Sequence, residues 1–384
     1  MKSIELFAGA GGLGLGLHSA GFRPANVFEW DRYCCDTIRE NQARGVNAVK
    51  GWKVVEGDVR QSDFSRFEGK ISLVSGGPPC QPFSMGGKHA AYDDARDMFP
   101  QAIRAVREAR PSAFVFENVK GLTRATFSNY FEYIRLQLEH PEIVKRVDEP
   151  WPDHFARLEQ HHSSGSHDGL NYRVVTQLLN AADFGVPQRR ERVFFVGFRE
   201  DLGISWSFPR PTHSREALIW DKASGAYWDR ARIAKKDRPP LGIDTSRLDP
   251  DRAPGELAWM TVHEAISSLP EPGRGHSDMP IHNHKAQHGA RSYPGHTGSP
   301  LHEPAKTLKA GVHGVPGGEN MLLRPDGTVR YFTVRESARL QTFPDDYVFH
   351  GSWGETMRQL GNAVPVNLAK VVGGSVAAHL KAAA

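Results

Sequence analysis

Between residues 2 and 198, short runs of β-branched and apolar residues alternate with longer stretches of helical periodicity, and this alternation constrains the fold more than any other feature. A strand that is apolar throughout needs cover on both faces, and a helix between successive strands supplies it while bringing the next strand in parallel. Strands are expected at 2–8, 25–29, 46–50 or 53–56, 71–75, 112–117, 171–176 and 192–198. Helices are expected at 12–20, 31–43, 97–109, 120–136 and 177–181. The predicted class is therefore α/β, a doubly wound and mostly parallel sheet. Residues 139–169, with His161, His162 and the run SSGSHDG, read as an exposed insertion or loop. From 206 to 330 the periodicity fades, broken by SFPRPTH, RPPLG, LPEPGRG and VPGGEN. Helical patterning returns at 333–343 and at 365–381, where Pro365 stands near the first turn of a last helix that should pack back on the first unit.

With 384 residues, 24% of them charged and 39% hydrophobic, disordered and fibrous classes are excluded. A net charge of +4 allows a polyanionic partner without requiring one. Most of that excess, and a disproportionate share of Gly and Pro, fall within 206–330, the composition of a loop-rich second unit. The N-terminus MKSIELFAGAGG has no export-signal pattern, and no stretch approaches the roughly 20 apolar residues that span a bilayer, so a cytoplasmic, nucleoid-associated protein is expected. Cys34, Cys35 and Cys80 are too few for a disulfide framework or a four-cysteine zinc site.

The first expected strand runs into ELFAGAGGLGLGL, where Gly9, Gly11 and Gly14 fit G-x-G-x-x-G between a strand and a helix. Such a turn lets backbone approach an adenine nucleoside or a pyrophosphate, and an acid ending the next strand, here Glu29, can take ribose hydroxyls. The pattern suits a dinucleotide as well as S-adenosylmethionine, and simple tight-turn glycines are the plainer alternative. Asp58 in EGDV would reach the same crevice. The fourth strand leads into SGGPPCQPFS, which puts Cys80 in a stiff polar loop at a carboxyl strand end, a poor setting for a core cysteine and a good one for a nucleophilic thiol. A Cys-His hydrolase would need a base, and none of the 18 His stands out by spacing. FENV places Glu117 and Asn118 one strand from Cys80 as an acid or a helix cap. Before the last strand, QRRER groups Gln188, Arg189, Arg190 and Arg192, with Arg190 and Arg192 on one face. His282, His284 and His288 have a spacing that a metal could use, but polar side chains on recognition loops are the preferred reading and no metal is expected.

Taken in order, FAGAGG, PPCQPFS, ENV, QRRERVF, RESARLQTFPDDYVF and QLGNAVPVNLA strongly resemble the DNA cytosine C5 methyltransferases, over roughly 1–200 and 333–372. The resemblance implies a Rossmann-like S-adenosylmethionine-dependent methyltransferase with a small target-recognition domain. The expected division is 1–205 for cofactor and catalysis, 206–332 for target recognition, and 333–384 for a hinge and a returning helix. It further implies Cys80 as the nucleophile on carbon 6 of cytosine, Glu117 acting at ring nitrogen 3, Arg192 on the carbon 2 oxygen, and Arg190 steadying the loop and a nearby phosphate. Phe7, Gly9, Gly12, Glu29, Trp30, Asp58, Pro79 and Asn362 would hold the cofactor, which leaves as S-adenosylhomocysteine. Gln81, Ser84, Asn118 and Gln188 would face the substrate. Lys306, Lys309 and His313 close the expected recognition region. The implied partner is double-stranded DNA, bound by a monomer whose cognate restriction endonuclease would be genetically linked. An RNA methyltransferase of the same fold is disfavoured because no cysteine follows Cys80. A nicotinamide oxidoreductase would leave PPCQPFS, ENV and QRRER without a role, and a silent DNA-binding module would not need both Cys80 and Glu117.

Overall fold

The computed structural model describes residues 1–79, 97–165, 168–241, 253–273, 281–310 and 320–383. All seven expected strands form: β1 (Lys2–Leu6), β2 (Arg23–Glu29), β3 (Lys53–Glu56), β4 (Leu73–Gly76), β5 (Ala113–Val119), β6 (Tyr172–Asn180) and β7 (Glu191–Arg199). They make one sheet in the order β3-β2-β1-β4-β5-β7-β6. The first five are mutually parallel, and β7 runs antiparallel to both β5 and β6. Chain order reverses at β1 and β4, so the crevice beyond their carboxyl ends is where an open α/β sheet receives a ligand.

Helices α1 (Gly12–Ser19), α2 (Arg32–Ala43), α3 (Phe99–Ala109) and α4 (Ser128–Glu139) cover the sheet. Two expectations require correction. Residues 177–180 are not helical, because Gln177 to Asn180 continue β6 in register with Phe194 to Glu191, and pairing with a long neighbour overrides local pattern; a 3₁₀ turn follows only at Ala181–Phe184. Residues 139–169 are not simply a loop, since they contain helix α5 (Trp151–Ser164), which buries His154 and Leu158. The expected 120–136 helix begins only at Ser128, after two 3₁₀ turns over Lys120–Thr123 and Ala125–Phe127.

Beyond β7 the chain has short elements of its own: β8 (His213–Ser214), α6 (Arg215–Ser224), α7 (Ala226–Arg230), β9 (Leu257–Ala258), α8 (Val262–Ile266), β10 (Ser299–Pro300), β11 (Met321–Leu323) and β12 (Val329–Tyr331). Val262, Ile266, Ala305, Leu308, Leu322 and Phe332 share a small core with Leu340, while Leu218, Tyr227 and Trp228 form another. The 333–343 pattern becomes α9 (Val334–Leu340), opened by a reciprocal capping box between Thr333 and Glu336.

The chain then returns through α10 (Trp353–Asn362) and α11 (Val366–Ala382). Contrary to the expectation that no stretch approaches spanning length, Trp353–Ala382 is apolar enough to cross a membrane by length and composition, but it is mostly buried inside the protein. Val366, Leu368, Val372, Val376 and Leu380 line the buried side of α11, and full burial of each such side chain is worth about 1.5–3 kcal/mol. The helix packs on α1, where a Cβ at Gly12 would stand 2.4 Å from the Val364 carbonyl oxygen and one at Gly16 would stand 2.4 Å from the Ala369 Cβ. First and last segments of the chain therefore meet.

Candidate active site

Glu29, Glu117, Asn118 and Arg192 lie along one edge of the sheet, at the carboxyl ends of β2 and β5 and the antiparallel start of β7. After β1 the chain turns through Phe7 and Gly9, both at positive φ, to Gly11, which caps α1 in the left-handed region at φ 85°. Glu29 closes β2 and is buried. Its Oε2 accepts from the Gly9 backbone N–H at 2.7 Å, and its Oε1 accepts from those of Trp30 and Asp31 at 2.9 and 2.8 Å. Burial raises the pKa of Glu29 while these three donors hold it down. Trp30 follows with its ring 74% exposed. A Cβ on Gly9 would meet no described atom within 4 Å, which leaves open space between this turn and Trp30's strand end. Asp58, two residues beyond β3, caps a 3₁₀ turn through the Arg60 N–H and pairs with the Arg60 guanidinium, which lowers its pKa.

Cys80, Gln81 and Ser84 lie outside the described residues. The approach to them is fixed, however. β4 runs beside β5 with Gly76 opposite Phe116, so the next pair is Gly77 and Glu117, and a Cβ on Gly77 would lie 3.3 Å from Glu117 Oε2. Asn118 donates from Nδ2 to the Pro78 carbonyl at 2.9 Å and accepts from the Val119 N–H at 2.8 Å. Its amide thus ties the FENV strand end to the PPC loop, and it caps no α-helix. Pro79 is exposed and accepts from the Met98 N–H.

Glu117 is buried, and Arg192 Nε stands 2.7 Å from its Oε1. Pairing of β5 with β7 sets this contact by bringing Val119 opposite Arg192. Beyond this ion pair, Oε1 has no other hydrogen-bond partner among the described residues. Desolvation raises the pKa of Glu117 against the lowering pull of Arg192 and Arg190. Such a carboxyl is held nearer to its neutral acid form than a solvated glutamate.

Arg190 and Gln188 sit differently from what their grouping in QRRER suggested. Arg190 has no exposed surface and donates from Nη1 to the Leu308 carbonyl and from Nη2 to the Gly361 carbonyl. Gln188 is equally buried, donating to the Leu340 carbonyl and accepting from the Leu308 N–H. Each therefore joins three distant stretches of chain, and Arg190 keeps a buried Nε with no hydrogen-bond partner among the described residues. Asn362, at the end of α10, is exposed.

Among the recognition-region residues, Lys306 donates to Thr297 Oγ1, the Lys309 backbone exchanges two hydrogen bonds with the Asn320 side chain, and His313 lies outside the described residues. His282 and His288 are exposed, but His284 is buried and not a loop side chain in solvent. Its Nδ1 meets Thr333 Oγ1 at 2.9 Å and its Nε2 donates to the Pro270 carbonyl at 2.8 Å, so neither nitrogen is left for a metal shared with its neighbours. Sequence reasoning passed over Arg335, which is fully buried and donates to the carbonyls of His282, Pro344 and Tyr347. The capping box T-x-x-E beside it was a legible signal for where its helix starts.

A doubly wound sheet with a glycine turn, a ribose-range acid and a buried acid beside an arginine at one edge defines a Rossmann-like enzyme acting on a ligand at its carboxyl strand ends. A sequence model described as C-5 cytosine-specific DNA methylase matches residues 1–141 and 162–378, and the chain belongs to that family. It is 33% identical over 391 residues to the Type II methyltransferase M.PspPI of Psychrobacter sp. (strain TA137), covering 99% of this chain and 80% of the relative. With M.NgoMIV of Neisseria gonorrhoeae it shares 32% over 385 residues, 99% of this chain and 98% of the other. The fold is also that of a prophage-encoded Escherichia coli protein (TM-score 0.62, 20% identity, 99% of each chain) and of Spodoptera frugiperda DNMT2 (0.56, 15%, covering 96% and 97%). Its chemistry is methyl transfer to carbon 5 of cytosine in DNA, which in this family implies S-adenosylmethionine as the donor.

Proposed function

We propose that this chain methylates a cytosine extruded from a specific site in double-stranded DNA through a covalent adduct of Cys80, with Glu117 as the acid and Arg192 as its partner. The observation that carries this reading is the placement of Glu117: buried, raised in pKa, 2.7 Å from Arg192, and one strand from the loop that Asn118 ties down. Carbon 5 of cytosine is a poor nucleophile, and thiolate addition to carbon 6 makes it an enamine carbon. The Cys80 thiolate forms the sulfur–carbon bond as the ring electrons move toward nitrogen 3, where Glu117 donates its proton. Arg192 binds the carbon 2 oxygen and holds the carboxyl in place. After carbon 5 has gained its methyl, a base removes the carbon 5 proton, the double bond re-forms and Cys80 leaves as thiolate. A base inside a duplex is out of reach, and methyltransferases turn it out of the stack.

The residues around Glu29 fit S-adenosylmethionine: an acid at ribose height, the open space over Gly9, and an exposed Trp30 face for adenine. Phe7, Gly12, Asp58, Pro79 and Asn362 complete that reading, with Asp58 at the adenine edge. When bound, this cofactor supplies an electrophilic methyl on a sulfonium. Residues 206–332 serve target recognition, where most of the net positive charge falls, and affinity depends on placed contacts with moderate salt dependence. Type II relatives support a role in a restriction-modification system. Within that reading the protein acts as a monomer, and a cognate endonuclease is genetically linked but need not be bound.

Bisulfite sequencing of DNA from cells expressing the chain gives its target site. Duplexes carrying 5-fluorocytosine at that site should then trap a denaturation-resistant complex, because fluorine cannot leave as a proton does. Cys80→Ala should abolish both the trap and methyl transfer while retaining DNA binding. Methylation by a chain that forms no such complex would refute the adduct.

A further inference from the structure

Away from the strand edge, the ends of α4 and α5 bring three metal-ligating side chains together. Glu139 is the last residue of α4 and His140 its C-terminal cap, while His162 lies in the last turn of α5. The family's sequence model passes over residues 142–161, so most of α5 belongs to a stretch it does not describe.

Three potential ligand atoms share too few hydrogens here. Glu139 is 7% exposed, its Oε1 pairs with Arg135, and its buried Oε2 accepts no hydrogen bond from the described residues. The nearest charged neighbour of that oxygen is His162 Nδ1 at 3.3 Å. His140 is buried, with Nδ1 2.8 Å from Asn171 Oδ1. Asn171 donates from Nδ2 to the Asp168 carbonyl, which turns its oxygen toward His140. His140 therefore carries its proton on Nδ1 and a lone pair on Nε2, and that nitrogen lies 3.1 Å from His162 Nδ1. A neutral His162 has at most one Nδ1 hydrogen to give, and both His140 Nε2 and Glu139 Oε2 compete for it. The loser is an acceptor in a largely buried place without a donor, a costly arrangement for a polar group.

We propose that Glu139, His140 and His162 bind one zinc-like divalent transition-metal ion, which clasps the end of α5 to the end of α4. Metal–nitrogen and metal–oxygen bonds of about 2.0–2.2 Å at tetrahedral angles separate ligand atoms by roughly 3.3–3.5 Å. The separations of 3.1 and 3.3 Å sit close to that, and all three atoms lie within 4.8 Å of one another. Two imidazoles with one carboxylate favour zinc, cobalt or nickel over magnesium or calcium. Asn171 supplies the outer hydrogen bond that orients a ligating histidine. The half-exposed His162 provides the entry side, and water completes the shell.

The test uses the untagged full chain and zinc alone. Equilibrium dialysis should find one zinc ion per chain that His162→Ala and Glu139→Gln each bind at least about tenfold more weakly. Zinc should raise the Tm of the wild type and not that of His162→Ala, and cobalt should give the intense visible absorption of a tetrahedral site only in the wild type. Because His162 is half exposed, His162→Ala should match the wild-type circular dichroism and Tm in chelator, so it decides the matter even if Glu139→Gln fails to fold. Equal zinc affinity in wild type and His162→Ala, or no zinc bound by the wild type at micromolar concentration, would overturn the proposal.

Discussion

A carboxyl group is costly to bury, and Glu117 is buried beside two arginines that are themselves desolvated. Desolvation dominates, so the acid form persists to higher pH than in a solvated glutamate. If that form donates to the base, the methyl-transfer rate falls as pH rises through the raised pKa. Glu117→Gln should lose about 10²–10⁴-fold in kcat with cofactor affinity kept, since Glu117 lies on β5, away from the glycine turn. Loss of cofactor binding, measured by calorimetry, would put Glu117 in the wrong role. Glu5 offers a second test at this scale. Its Oε1 accepts from the Gly14 N–H, its Oε2 has no hydrogen-bond partner among the described residues, and burial raises its pKa from 4.5 to about 8. The folded state then holds more protons than the unfolded state between those values, so this group's contribution to stability falls as pH rises from about 4.5 to 8. In thermal melts, the Tm of Glu5→Gln relative to wild type should climb across that window and level off above it. A difference independent of pH would mean that Glu5 does not titrate in the fold.

Helix α1 shows how an element can contradict its own propensity. Its sequence GLGLGLHS carries three glycines, each costing about 1 kcal/mol against alanine in a helix interior. Gly16 is needed because α11 comes too close for a side chain, and Gly12 because the Val364 carbonyl just before α11 does. Gly16→Ala would place a Cβ 2.4 Å from that of Ala369 and 2.5 Å from the Val366 carbonyl oxygen. Overpacking of about 1–3 kcal/mol outweighs the propensity gain. Differential scanning calorimetry should therefore show a Tm lowered by a few degrees; an unchanged or raised Tm would mean that α11 yields freely. The strands were legible because apolar runs between turn residues are a local signal. Helix α5 was not, because WPDHFARLEQHHSS exposes most of its surface and is held by His154, which meets Tyr133 Oη at 2.8 Å and the Ile143 carbonyl at 2.8 Å. Nor was the end of β6, whose partner strand lies beyond an intervening turn.

Across the whole molecule, the chain closes on itself through α11, which lies against Leu13, Leu17 and Phe22 in a core shared with β4, β5 and β7. A chain ending at Asn362 should lose this cover and come out aggregated or molten, with lost near-ultraviolet circular dichroism; a soluble, cooperatively melting product would show that the first 362 residues hold their core alone. The order of the motifs along the strand edge could be read from the residues, since glycine turns, strand-ending acids and the PPC loop are each written within a few positions. Burial could not. Gln188 and Arg190 look like a polar run facing a ligand, yet they are struts, because their partners Leu340, Leu308 and Gly361 lie 118 to 171 positions further along. His284 changed meaning in the same way, being satisfied on both nitrogens, while Glu139, which no local pattern marks, has a buried oxygen without a hydrogen bond among the described residues. Local spacing names which residues are chemically capable, but desolvation and hydrogen-bond partnership arise from segments far apart in the chain, and these decide which capable residue is free to act.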